Sequence, residues 1–331
     1  MSINRGLVFS LGLAICVILM GAFTRLEDAG LGCPDWPGCY GFVTVPTQAE
    51  HVQAAEAAFP ERPVEAYKGW LEMIHRYIAS GLGLTILLLM VHSLRQKKLG
   101  HKTQSKLATT LFALVCFQGA LGAWTVTMKL LPQVVMAHLL GGFTVFSLLF
   151  LWWLRRQMSE SSLQEPALKA LAPLASLALV LLVGQIMLGG WTSANYAATA
   201  CTELPMCEGN WRERLNFAEA FSLPSGEHDS YEFGVMDYSA RMTVHISHRV
   251  GAVVVSLVLL LLGWRMLRAC QNPLVRQAAW LMLALLVVQF GLGVSNIVWQ
   301  LPLAVAVAHN GGAALLLLSL VLINYLSWRK A

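Results

Sequence analysis

Apolar positions along this chain gather into eight long blocks, at about 6–24, 72–94, 107–127, 134–154, 170–192, 244–266, 277–298 and 303–327. Each comes close to the roughly 20 residues that a helix needs to cross the hydrocarbon core of a bilayer. A span in lipid must satisfy its own backbone polar groups, and a continuous apolar run of that length does so as a helix. The pattern therefore predicts an all-α, polytopic membrane protein with eight transmembrane helices. Polar residues collect in two long segments, about 25–71 and 193–243, and in two very short turns, Lys129–Gln133 and Trp299–Pro302. Within 42–68 and 208–240 the polar, Pro-containing composition reads as loop with short surface helices.

The blocks also repeat. An offset of 168 residues lays Thr24 on Thr192, Cys33 on Cys201, Pro37 on Pro205, Cys39 on Cys207 and Gly41 on Gly209. Five residues of slip later, His75-Arg76 falls on His248-Arg249. A net offset of 171 then places Gln118 and His138 on Gln289 and His309. Four helices per copy, twice, is the simplest organisation: an N-terminal four-helix half over 1–158 and a C-terminal four-helix half over 166–331, joined through Ser159–Glu165. An even helix count sends both copies into the membrane from the same side. The two halves are thus expected to form tandem bundles related by a pseudo-two-fold axis along the membrane normal. The first block resembles a signal peptide, but Gly21-Ala22-Phe23-Thr24 returns as Gly189-Gly190-Trp191-Thr192, so it is expected to stay as helix one.

With 56% hydrophobic and 12% charged residues, composition excludes an ordinary soluble protein. Charge sets the orientation. Arg5, Arg95–Lys106, Arg155–Lys169, Arg265–Arg276 and Arg329–Lys330 together hold 14 of the 23 basic residues and 2 of the 18 acids. Short basic loops stay cytoplasmic, so both termini are expected inside and the two long polar segments outside. A net charge of +5 is then a topological signal, and no nucleic-acid partner is expected.

Cys33 and Cys39, and again Cys201 and Cys207, stand with five residues between partners on the expected outer face, where thiols oxidise. Two intraloop disulfides are expected; reduced pairs without function, or a zinc site, are the weaker readings. His75, His138, His248 and His309 each fall within about two turns of the start of an even-numbered helix, and those helices begin at the outer face. Two imidazoles per copy in one layer suit a flat ligand clamped between helices, as in bundles that ligate haem iron from both sides. A hydrogen-bonded packing role is the alternative for any one of them. Gly141-Gly142, Gly311-Gly312, Gly119, Gly122, Gly291 and Gly293 either admit a macrocycle to the backbone or serve close helix packing. Arg76 and Arg249 follow histidines at the outer boundary, where each either pairs with haem propionates or snorkels to the interface.

The copies differ at one chemically telling position. Glu72 precedes His75 by three residues and shares its helix face, whereas His245 takes that place before His248. A carboxylate there can move a proton or stabilise positive charge on a substrate, and a solvated helix-start residue is its bland reading. The first half therefore reads as the reactive site and the second as a cofactor site, with His245 a rival to His248 for ligation.

Gly30-Leu31-Gly32-Cys33-Pro34-Asp35-Trp36-Pro37-Gly38-Cys39-Tyr40-Gly41, the Glu72-Met73-Ile74-His75-Arg76 run, the His138 and His309 helices and the His248-Arg249 pair together resemble the haem A synthase family. The resemblance spans nearly the whole chain. It implies an oxidoreductase of the bacterial cytoplasmic membrane that converts a pyrrole methyl of haem O to a formyl group, giving haem A for terminal cytochrome oxidase. Carried over, His248 and His309 bind a resident haem b, His75 and His138 flank the substrate haem O, Glu72 is the acidic catalytic residue and Cys33–Cys39 an outer-loop disulfide. Cys201–Cys207 matches only part of the family. Implied partners are membrane lipid, the haem O-producing farnesyltransferase and cytochrome oxidase assembly factors, with oligomerisation left open. The rival from another class is a dihaem b-type carrier passing electrons from quinol to an outer-face partner.

Overall fold

The computed structural model describes residues 3–158 and 165–329. Of the expected linker Ser159–Glu165, all but Glu165 lies outside the described residues, as does Lys330. The described chain is all-helical. In order it forms α1 (Ile3–Leu26), α2 (Ala49–Ala58), α3 (Ala66–Lys98), α4 (Ser105–Thr127), α5 (Pro132–Gln157), α6 (Pro166–Ala170), α7 (Ala172–Ala194), a 3-10 turn at Trp211–Arg214, α8 (Phe217–Ala220), α9 (Tyr238–Ala269), α10 (Pro273–Val298) and α11 (Leu303–Trp328). Among the described residues, α1, α3, α4, α5, α7, α9, α10 and α11 are the eight long and apolar enough to cross a membrane. This is a multi-pass membrane protein.

Helix ends repeat along with the sequence. At the end of α1, Asp28 adopts φ 49° and the Ala29 amide donates to the Thr24 carbonyl at 2.9 Å; at the end of α7, Tyr196 adopts φ 53° and Ala197 donates to Thr192 at 2.9 Å. The α4–α5 and α10–α11 turns use the same device, with Leu130 donating to Thr125 at 2.8 Å and Leu301 to Asn296 at 2.7 Å. Left-handed residues closed by a six-to-one hydrogen bond satisfy the orphan carbonyls of a helix end. Pro132 and Pro302 then stop the chain from continuing the old helix and sit at the start of the next one.

Two compact units result: Met1–Leu148 with Leu223–Val235, and Leu149–Ser222 with Met236–Ala331. In the first, α1 packs on α3 and α3 on α4. In the second, α7 packs on α9 and α11, and α10 on α9 and α11. The first unit takes in a strap from the second long polar segment. Its Tyr231 is buried with Leu31, Val126 and Leu130, the Tyr231 amide donates to Lys129 O at 3.0 Å, and Glu232 pairs with Arg62 at 2.8 Å. Gln133 Nε2, in the first turn of α5, donates to the Pro224 carbonyl of the same strap at 2.7 Å.

Candidate functional site

The N-terminal end of α3 is built around the Cys33–Cys39 disulfide. Cys33, Cys39, Tyr40, Val45, Ala55 and Met73 form one buried cluster, so α2 folds back over the loop and onto α3. Tyr40 is fixed by its hydroxyl, which donates to Pro63 O at 3.0 Å, and by an edge contact with Phe59. The loop lies so close to α3 that a Cβ at Gly32 would stand 2.5 Å from the Lys68 carbonyl carbon. Only glycine permits that approach, and it brings the next amide to Glu72: Cys33 N–H donates to Oε2 at 2.9 Å. Glu72 is 5% exposed. Its Oε1 pairs with Arg76 Nη2 at 2.5 Å. Arg76 also donates to the carbonyls of Asp35 at 3.0 Å, Pro37 at 3.1 Å and Gly38 at 2.5 Å. The bland reading of Glu72 as a solvated helix-start residue therefore fails, because the carboxylate is buried against the loop.

The second unit repeats this arrangement without the acid. The Cys201–Cys207 disulfide is buried with Met242 and Ile246. Arg249 donates to the carbonyls of Cys201 at 2.8 Å and Glu203 at 2.7 Å, and to that of Met206. Both arginines thus hold a disulfide loop onto a helix, and any haem propionate has to share them with these carbonyls. Within the loops a carboxylate ties the backbone: Asp35 accepts from the Tyr40 and Gly41 amides at 2.6 and 2.7 Å, and Glu208 from the Thr202 amide at 2.6 Å and from its hydroxyl. Burial pushes the Glu208 carboxyl up, but these hydrogen bonds, led by the Thr202 hydroxyl, outweigh it and hold the group at about 2. His245, at the Glu72 position, is 5% exposed, and its Nδ1 is buried without a hydrogen bond.

The structure brings His75 of α3 and His138 of α5 together, their ring centroids 6.4 Å apart. An iron held by two imidazole nitrogens at about 2 Å each, the usual metal–imidazole distance, sets ring centroids roughly 6 Å apart. The spacing fits one metal centre between them. His248 of α9 and His309 of α11 both belong to the second unit. Each ring rests on a glycine of a neighbouring helix: a Cβ would meet Cε1 of His75 at 2.9 Å from Gly21, of His138 at 3.4 Å from Gly122, of His248 at 3.1 Å from Gly189 and of His309 at 3.3 Å from Gly293. Nδ1 of His75, His138 and His309 is buried without a hydrogen bond, although all three residues remain half-buried. In His75 and His138 the nitrogen left to meet a ligand is Nε2; His309 Nε2 instead lies 3.4 Å from the Gln289 amide nitrogen, so a ligand there has to displace that amide.

The glycine readings divide. Gly141 and Gly312 serve helix packing, because the Gln118 and Gln289 amides occupy the space of their missing side chains, 1.6 and 2.3 Å from where a Cβ would stand. Gly119, Gly142 and Gly291 face open space. Filling a notch tests the packing role. Gly312→Val gains at most about 1 kcal/mol of helix propensity but overpacks a site at a cost of about 1–3 kcal/mol. Its thermal unfolding midpoint is expected to fall; a midpoint at or above that of the unaltered chain would show that Gln289 moves aside freely.

Residues 4–321 match the family model described as Cytochrome oxidase assembly protein. The chain is 54% identical over 325 residues to the Heme A synthase of Shewanella oneidensis, an alignment covering 98% of this chain and 95% of that one. It is 28% identical over 316 residues to the Heme A synthase of a Chelativorans species, covering 91% and 84% of the two chains. Over 336 residues it is also 28% identical to the Heme A synthase of Allorhizobium ampelinum, covering 95% and 88%.

Proposed function

This chain belongs to the cytochrome oxidase assembly protein family, and from that premise we propose that it acts as a haem A synthase, an oxidoreductase that converts a pyrrole methyl of haem O to a formyl group. The observation that carries the reading is the His75–His138 pair, spaced for a metal centre at 6.4 Å and standing beside a buried acid that the second half lacks. We assign His75 and His138 to the substrate haem O and His248 and His309 to a resident haem b. His248 is preferred to His245 because it rests on Gly189 as His75 rests on Gly21. Both termini and the short basic loops are placed on the cytoplasmic side of a bacterial inner membrane, and the disulfide loops outside. Haem O then arrives from the farnesyltransferase that makes it, and haem A leaves toward cytochrome oxidase assembly.

Methyl to formyl is a four-electron oxidation. Two successive two-electron steps give the alcohol and then the gem-diol, which loses water to leave the aldehyde. Withdrawing electrons from the porphyrin edge leaves positive charge at the reacting carbon. Glu72, three residues from His75 on the same face of α3, stabilises that charge or takes the proton released there. Arg76 and the Cys33 amide hold the carboxylate in one orientation, so it needs no reorganisation as charge develops. When bound, haem b supplies one-electron redox chemistry for passing the electrons on. The four imidazoles orient the two haems, and Arg76 and Arg249 set the outer rim.

Supplying the purified full chain with haem O and an electron acceptor tests the reading. Chromatography and mass analysis of the extracted haems should show the formyl product. An unchanged haem pool would reject the synthase and favour the dihaem carrier, for which a buried acid in one half alone has no use.

A further inference from the structure

Two arginines of α9 flank the histidines of the second unit, and only one of them is committed. Arg249 gives both terminal nitrogens to loop carbonyls, Nη2 to Cys201 at 2.8 Å and Nη1 to Glu203 at 2.7 Å and to Met206. Arg241 gives none. Among the described residues no hydrogen bond or ion pair reaches its guanidinium, and its Nε is buried without a partner. Asp237 stands one turn earlier, at the N-cap of α9, yet the two side chains do not pair. Arg241, His245 and His248 are spaced by four and three residues, so they share one face of α9. The neighbouring faces are occupied: Met242 and Ile246 pack on the Cys201–Cys207 disulfide, and Thr243 accepts the Asn216 amide at 2.9 Å. Helix rise puts Arg241 about 10 Å from His248 along the axis, toward the N-terminal end of α9. The offset that aligns His75 with His248 places Lys68 at this position in the first half, where Glu65 pairs with it at 3.1 Å. The uncommitted cation therefore belongs to the second unit.

We infer that Arg241 is the cation that holds the propionate carboxylates of the haem b resident in the second half. The inference rests on the proposed assignment of that haem to His248 and His309. A haem carries its two propionates on one edge of the macrocycle, and taking those carboxylates out of water is costly unless each meets a cation or hydrogen-bond donors. Arg249 has already given its terminal nitrogens to the disulfide loop. Arg241 lies on the histidine face at the distance of a macrocycle edge, half-buried and with its whole fork free. A guanidinium meets a carboxylate through two parallel N–H donors, which fixes the orientation of the group as well as its charge. The orphaned Nε and the missing counterion then have one explanation: the partner of Arg241 arrives with the cofactor.

The test uses the full chain purified with its resident haem b, following haem loss to excess apomyoglobin by absorbance and the propionate bending mode by resonance Raman spectroscopy. Arg241→Gln is expected to speed haem b loss by about tenfold or more, the scale of one charge-assisted hydrogen bond. It should also shift the propionate mode and lower the haem's reduction potential, because a positive neighbour that favours electron uptake is gone. Arg241→Lys keeps the charge without the fork, so it should shift the propionate mode while holding the potential near that of the unaltered chain. An unshifted mode in Arg241→Gln overturns the inference even if haem is lost faster, since the guanidinium would then pack the helix end or meet a lipid phosphate. An unchanged loss rate, or a potential lowered as much in Arg241→Lys as in Arg241→Gln, overturns it too. Should Arg241→Gln fail to accumulate folded, the propionate mode of Arg241→Lys decides alone: shifted supports the inference and unshifted overturns it. His309→Ala separates the two levels. If it keeps full haem b, the second-half placement fails and this inference with it; if it strips haem b while Arg241→Gln leaves the mode and the loss rate unaltered, only the role of Arg241 falls.

Discussion

Glu72→Gln is expected to cut haem A formation by about a hundredfold or more, the usual scale for losing a positioned acid or base, while haem b per chain stays unchanged. The substitution preserves volume, so the cluster of Cys33, Tyr40 and Met73 keeps its packing. Charge is what changes. The amide oxygen can still accept the Cys33 N–H, but the NH2 end now opposes the Arg76 guanidinium, which had paired with carboxylate at 2.5 Å. Removing one member of a buried pair costs about 3–5 kcal/mol when the other is left uncompensated. Here Arg76 keeps the carbonyls of Asp35, Pro37 and Gly38, which places the loss at the low end and keeps the loop tethered. A structural role alone is distinguished by Arg76→Gln, which releases those three carbonyls and spares the carboxylate. If Glu72 matters only as an anchor of the loop, Arg76→Gln lowers turnover at least as much as Glu72→Gln. Turnover near the unaltered rate in Glu72→Gln, or haem b lost with it, contradicts a chemical role for the carboxylate.

Legibility in the sequence followed how each feature is encoded. Side-chain hydropathy writes a transmembrane helix directly, so the eight apolar blocks reappear as eight helices. The ends were read less well, because a helix can continue past its apolar stretch: the block at 72–94 becomes Ala66–Lys98, whose first turn carries Tyr67 and Lys68. Cysteines paired within each polar segment predict both disulfides, and both are present. Short surface helices within the outer segments were expected, and α2, α8 and the Trp211–Arg214 turn are there. What Arg76 and Arg249 hold was not visible, since their partners are main-chain carbonyls, which every residue has and no motif marks. The strap at Leu223–Val235 was beyond sequence, because Tyr231 meets Leu31 and Leu130 across a long separation that no local pattern records.

His309→Ala is expected to strip the resident haem b to near zero, whereas His138→Ala leaves haem b in place and abolishes turnover. The two residues share most of their local setting, although the Gln289 amide reaches His309 Nε2 at 3.4 Å and the Gln118 amide nitrogen has no partner. Each follows the start of its helix by six residues, rests on a glycine of the preceding helix, and stands near a glutamine seated in a glycine notch of its own helix. Local geometry alone therefore predicts equal losses. The asymmetry comes from what each opposes: His309 shares its unit with His248, beside which His245 stands, and His138 shares its unit with His75, beside which Glu72 lies buried. Either substitution would remove one of the two imidazoles that would hold iron, so a haem that is a permanent resident would disappear from the purified chain, and a haem that is a substrate would cease to react. Haem b content by pyridine haemochrome, together with haem A yield from supplied haem O, reads both effects in the same preparation. If His138→Ala and His309→Ala lose the same haem to the same extent, the division of labour between the halves is wrong, and both sites hold permanent cofactors as in an electron carrier.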